Sequence, residues 1–136
     1  MKNYKYIDHT ADLGIEVHAK TIEELFINIG IAIFETQVSG HLLSQKELNI
    51  KIVSESLEEL FIDWCRELLY HFSVHSFIPQ EYDISIEKFS LSACLVGDKF
   101  DAKRHKIKTE IKNATYHNLK VNKVNDLYKA MIIFDV

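Results

Sequence analysis

The sequence predicts an α+β protein with two helices packed on β-sheet. Three observations predict it. Two capping boxes, Thr21-Ile-Glu-Glu24 and Ser56-Leu-Glu-Glu59, each open an apolar stripe at helical spacing. The other apolar segments alternate with period two, as half-buried strands do. The two capped segments also echo each other. Thr21 to Ile27 aligns with Ser56 to Ile62 at an offset of 35, and the same offset sets Ile15 and Val17 on Ile50 and Ile52. Duplication and convergence both explain such an echo, because any capping box before an apolar stripe looks alike.

Each element has its own warrant. Ile15 and Val17 mark a strand ahead of the first helix. Leu25, Phe26, Ile29, Ala32, Ile33 and Thr36 form that helix's stripe, which should end before Gly40. Leu48, Ile50 and Ile52 share one face of the next strand. Leu60, Phe61, Trp64, Cys65, Leu68, Leu69 and Phe72 form the second helix's stripe. His71 and His75 fall at its C-terminal end, where cations are favoured, and Pro79 stops it. Strands then follow through Tyr82, Ile84 and Ile86, and through Phe89, Leu91, Ala93 and Leu95, with a turn expected at Gly97-Asp98. Further strands are expected at Ile107, Thr109 and Ile111, at Leu119 and Val121, and at Ala130, Ile132 and Phe134.

The chain has 136 residues, 47% hydrophobic and 26% charged. That balance excludes a disordered or low-complexity protein and suits one domain over residues 1–136. The two cysteines, Cys65 and Cys94, form no CxxC pair. No run approaches the ~18 apolar residues of a membrane span. The opening residues lack the apolar core of a signal peptide, so a cytoplasmic protein is expected. The net charge of -4 hides an asymmetry: residues 1–97 carry 7 Lys/Arg against 15 Asp/Glu, and residues 98–136 carry 9 against 5. The basic third could meet a phosphate or an acidic surface. Alternatively, Lys103, Arg104, Lys106, Lys108 and Lys112 are a solvated face.

Common catalytic signatures are missing. The sequence has no GxxxxGK[ST] or GxGxxG loop, no GxSxG elbow and no HExxH pair. Three clusters stand out instead. Asp8-His9-Thr10-Ala11-Asp12-Leu13-Gly14 interrupts two strand-like segments with small and polar residues. His9 and Asp12 either present side chains to a site or make a local turn. Asp135 sits in a terminal apolar strand beside the carboxylate of Val136, and such hard oxygens suit calcium or magnesium. It could equally keep an edge strand soluble. Lys112, Thr115, Tyr116 and His117 lie in a connection and could bind phosphate, or act as acid and base. His105 and Asp101 just upstream are open to either reading.

Taken in order, these motifs resemble the archease family. Its His-Thr-Ala-Asp is matched by His9 to Asp12, followed by Thr-x-Glu-Glu-Leu-Phe from Thr21. Its Asp-Trp-x-x-Glu-Leu-Leu is matched by Asp63 to Leu69, and its Gly-acidic-x-x-Asp and later His by Gly97 to Asp101 and His105. Its Lys-Ala-Val-Thr-Tyr-His-Gly-Leu is matched by Lys112 to Leu119, and its C-terminal Phe-Asp-Val by Phe134 to Val136. The resemblance covers nearly the whole chain. Asn113 and Asn118 replace the family's Ala and Gly, and Asp98 its Glu. Asn tolerates the left-handed conformation, so a turn at Asn118 should survive.

The resemblance implies two strand–helix–strand–strand units, one inserted in the other, which would account for the echo. It implies an accessory factor of the RtcB-type RNA ligase of tRNA splicing and RNA repair. Such a factor promotes ligase guanylylation and multiple turnover, does not join RNA itself, and has no catalytic residue of its own; its contact with tRNA or RNA, indirect or direct, is left open. It implies a divalent metal site at Asp12, Asp135 and Val136, with calcium the expected ion and magnesium or manganese as substitutes. His9, Lys112, Tyr116 and His117 become candidate partner contacts, whereas Asp63 is read as a helix-surface carboxylate. Two alternatives accompany this reading. One is a chaperone of an RNA-modifying enzyme such as a tRNA methyltransferase. The other is a metal-dependent phosphoester hydrolase using Asp12, Asp135 and His117.

Overall fold

A computed structural model describes residues 3–9 and 12–136, the side chains of residues 8 and 9 excepted. Strands β1 (Tyr4–His9) and β2 (Asp12–Ala19) pair antiparallel and lead into helix α1 (Ile22–Gln37). A short β3 (Val38–Ser39) follows, then β4 (Lys46–Val53) and helix α2 (Leu57–His75). Strands β5 (Phe77–Glu87), β6 (Ser90–Lys99), β7 (Lys106–Ile107), β8 (Asn113–Val124) and β9 (Leu127–Asp135) complete the chain.

Both capping boxes cap as expected: Thr21 Oγ1 accepts from the Glu24 amide and Ser56 Oγ from the Glu59 amide. Helix α2 ends at Ser76, whose left-handed φ of 59° turns the chain while its amide donates to Phe72 O. Pro79 lies beyond the helix, in β5, which is an edge strand and needs no amide there. Among the described residues no helix is long and apolar enough to cross a membrane.

Two antiparallel sheets carry the fold, in the orders β1-β2-β9-β8 and β4-β6-β5, with β3 and β7 pairing separately. The strand–helix–strand–strand unit β4-α2-β5-β6 is contiguous. The unit β2-α1-β8-β9 is interrupted by it. In both, the last strand pairs with the first and with the second. The expected insertion is therefore present, and the echo at offset 35 superposes β2-α1 on β4-α2. Helix α1 packs on β2 and also on β5; helix α2 packs chiefly on β8 of the other unit. Leu25, Phe26, Leu60, Phe61, Trp64 and Leu68 are buried between the sheets, and Trp64 Nε1 donates to Phe26 O across the helix pair.

Four local expectations are corrected. Gly97 and Asp98 do not turn; both lie within β6, opposite Pro79 and Ile78. A Cβ at Gly97 would stand 2.0 Å from Ile78 O, so the glycine admits a close backbone approach rather than a reversal. The reversal is at Lys88, φ 54°, and it carries Phe89 out to the surface instead of onto the face of Leu91, Ala93 and Leu95. The strand expected through Ile111 stops at Ile107. Gln37 captures its backbone: Gln37 O accepts from the Lys108 amide at 2.7 Å and Gln37 Oε1 from the Ile111 amide at 3.2 Å. The connection expected at Lys112 to His117 is instead strand: Thr115, Tyr116 and His117 lie within β8, and Asn118, left-handed with φ 53°, makes a bulge rather than a turn where the register shifts between Thr115 and Lys120.

Candidate functional site

Strand register brings the two chain ends together. Leu13 of β2 pairs with Phe134 of β9, and Ala114 of β8 pairs with the same Phe134. Phe134 is fully buried, so its row faces the core. One step outward along the same register, Asp12 comes beside Asp135, with Asn113 paired to Asp135 and His9 to Asp12. Side chains alternate along a strand and paired residues share a face. Asp12, Asp135 and Asn113 thus belong to one row on the face away from the helices, at the sheet's end. Asp12 is half-buried and Asp135 exposed, and Val136 continues past the row.

The other candidate residues spread from this row. The Lys112 amide donates to Asp135 O at 2.7 Å, which fixes Lys112 against the end of β9, and its side chain is exposed. Thr115 Oγ1 donates to Ile133 O at 2.8 Å and so fastens β8 to β9. Tyr116 turns elsewhere: its hydroxyl donates to Glu59 Oε2 on α2 at 2.9 Å, and that bond raises the phenol above its ordinary pKa. The Arg66 guanidinium lies 5.1 Å from the Tyr116 ring centroid. His117 is exposed in the shifted part of β8. The His9 side chain lies outside the described residues.

Among the described residues no three His, Cys, Asp or Glu side chains converge as a metal-holding group. The expected ligand set contains only two side chains, Asp12 and Asp135, with main-chain oxygen at Val136 as its third member. An all-oxygen set of this kind suits a hard divalent cation and offers nothing to a soft one.

Comparison with known proteins shows the family. The Archease protein family (MTH1598/TM1083) matches residues 4–136. The chain belongs to the archease family. A protein archease of Methanosarcina barkeri is 35% identical, covering 99% of this chain and 97% of its own. One from Pyrococcus abyssi is 31% identical over the full length of both. Among solved structures, protein 1598 of Methanobacterium thermoautotrophicum superposes with a TM-score of 0.84 at 26% identity, over all of both chains. A Thermotoga maritima archease, described as a possible chaperone, gives 0.68 at 26% identity over 97% of this chain and 96% of its own.

Within this archease-family chain, the Gly-acidic-x-x-Asp segment and its later His are structural. Asp98 is buried and takes Arg104 Nη1 at 2.6 Å, the Leu43 amide at 2.9 Å and the Lys99 amide at 2.8 Å. Buried His105 accepts from the Asp101 amide through Nδ1, so Nε2 carries hydrogen and donates to His41 O at 2.9 Å. The cluster ties residues 40–43 to residues 98–105. Of the basic segment, Lys103, Lys106, Lys108 and Lys112 are exposed, while Arg104 is committed to Asp98.

Residue-level reading missed Asn113, Arg66 and Gln37. Asn113 was legible only as a departure from a motif, yet it stands beside Asp135 and its Oδ1 accepts from the Ala114 amide. Arg66 donates through Nε and Nη2 to Ala114 O, at 3.3 and 3.0 Å, and so holds β8 on α2. Its position on α2's polar side gave no sign of this.

Proposed function

We propose that this chain is a metal-binding accessory protein that activates an RtcB-type RNA ligase, promoting the ligase's guanylylation and multiple turnover without joining RNA itself. The observation that carries the reading is the register of β2 with β9. Leu13 pairs with Phe134, and the next positions outward are Asp12 and Asp135, which come from opposite ends of the chain. The partner class is the one that the archease resemblance implies, and membership of that family agrees with it.

In this reading Asp12, Asp135 and the main-chain oxygen of Val136 hold the cation, calcium in the first instance. Bound there, the cation offsets the repulsion of the two carboxylates and presents positive charge at the sheet's end. The metal-loaded end suits insertion into a ligase cleft that holds nucleotide phosphates. Lys112, exposed beside it, suits a phosphate or carboxylate of the partner.

The test is multiple-turnover RNA joining by a purified RtcB-type ligase, with and without this protein. Wild type should raise turnover. Asp12→Ala and Asp135→Ala should each abolish the rise, together with the calcium-dependent gain in melting temperature that mass action predicts. Loss of neither would refute the site; no rise with wild type would refute the ligase reading. A second reading, a chaperone of an RNA-modifying enzyme such as a tRNA methyltransferase, draws on the Thermotoga maritima relative's description. Pull-down against ligase and methyltransferase separates the two. Phosphoester turnover by the isolated protein would instead favour a hydrolase.

A further inference from the structure

A second feature lies on the other side of β8. Between the C-terminal half of α2 and residues 107–113 runs an open cleft of about 610 Å³, within the usual range for small-molecule sites. Its apolar wall includes Phe72 and Phe100, and Arg66 and Lys112 also line it. Gln37 is the unusual member. It is 1% exposed, and its Oε1 is engaged by the Ile111 amide. Its Nε2 is buried with no hydrogen-bond partner among the described residues, and the residue borders the same cleft. Buried donors of this kind are normally satisfied, so an orphan in a cleft calls for an acceptor there.

The rest of the lining says what kind of acceptor. Arg66 places Nε and Nη2 on Ala114 O, which leaves Nη1 of its five-donor fork uncommitted to that bond. Lys112 adds a second cation. Glu110 is the one carboxylate among the lining residues. A neutral acceptor would satisfy Gln37 but gain less from the two cations than an anion, which pairs with their charge as well. Phe72 and Phe100, whose ring centroids are 6.4 Å apart, offer an aromatic surface for an apolar body.

We propose that this cleft binds a small organic anion, with a phosphate or carboxylate headgroup taken by Gln37 Nε2, Arg66 and Lys112 and an apolar body against Phe72 and Phe100. The cleft adjoins the Asp12–Asp135 row at Lys112 and Asn113, but its anion-binding groups need no metal there.

Titration of the isotope-labelled full chain, followed by the Gln37 side-chain amide resonances, tests this. The probes are phenyl phosphate, phenylacetate, benzyl alcohol and inorganic phosphate. At least one aromatic anion should shift the Gln37 amide saturably. Benzyl alcohol, which has the body without the charge, should not, and inorganic phosphate should bind more weakly. Which anion binds better identifies the headgroup. Lys112→Gln, at an exposed position, should weaken the better anion about five- to tenfold. Gln37→Glu keeps an oxygen for the Ile111 amide but replaces the donor with a carboxylate, and should abolish binding. Should that variant fail to fold, the wild-type titration and Lys112→Gln still decide. Equal response to benzyl alcohol, shifts that never saturate, or unchanged affinity in Lys112→Gln would overturn the proposal.

Discussion

Asp98 shows how much a single buried carboxylate organises. Its hydrogen bonds from Arg104, with those from the Leu43 and Lys99 amides, outweigh burial and hold its carboxyl well below the usual carboxylate range. A depressed folded-state pKa stabilises the fold above the ordinary value near ~3.9, and that stabilisation is lost as pH falls through the lower folded value. Asp98→Asn should therefore cost about 1–3 kcal/mol at neutral pH. Denaturant unfolding across pH should show the gap to wild type narrowing below about pH 4. A gap that stays constant into acid would mean that the carboxylate's charge is not what stabilises. Lys112 should behave oppositely. It is exposed, so Lys112→Ala should leave stability within about 0.5 kcal/mol while reducing ligase stimulation. A lower melting temperature with stimulation intact would make it a structural residue.

The helices show which elements the sequence encodes locally. Both were legible because the cap and the stripe are short-range signals: Ser56 and Thr21 bond to amides three residues on, and the apolar faces repeat within one segment. Phe61 is fully buried and meets Phe26 edge-to-face at 5.2 Å. Phe61→Ala should cost about 3–5 kcal/mol in equilibrium unfolding; a loss near zero would mean the helix's other face is inside. The misread elements depended on partners distant in sequence. Residues 107–111 alternate like a strand, but Gln37, some 70 residues earlier, takes two of their amides. Gly97 looks like a turn residue until Ile78 O is known to lie against it. The candidate site divides the same way. Asp12 and Asp135 were recognisable as motif members, but their adjacency is a matter of register. Asn113 and Arg66 gained their roles only from strand β8's placement.

At the scale of the molecule, the inserted unit does not sit beside its host as an independent body. Helix α2 belongs to the inserted unit by sequence, yet it packs chiefly on β8 of the host and is fastened there by Arg66 on Ala114 O. Helix α1 belongs to the host and packs on β5 of the insert, where a Cβ at Gly30 would stand 2.8 Å from the Tyr82 ring. Trp64 Nε1 bonds Phe26 O between the two helices. Each unit thus covers the other's apolar face, and one continuous cluster of buried residues runs through both. Neither can bury its core alone, so the chain should unfold in one step. Fluorescence of Trp64, the only tryptophan, and far-ultraviolet circular dichroism should give coincident denaturant transitions. The isolated segment of residues 44–100 should show no cooperative melt, because its helix face and the core side of β5 would both be exposed. A monomeric fragment with a sharp transition, or two separated transitions in the full chain, would show that the exchange of helix faces contributes little and that the units are stable separately. The coupling also bears on the Asp12–Asp135 row. Strand β8 is packed on α2 and pairs with β9, so a core truncation such as Phe61→Ala should disturb the row from within the insert, and should weaken the calcium-dependent gain in melting temperature as well as overall stability.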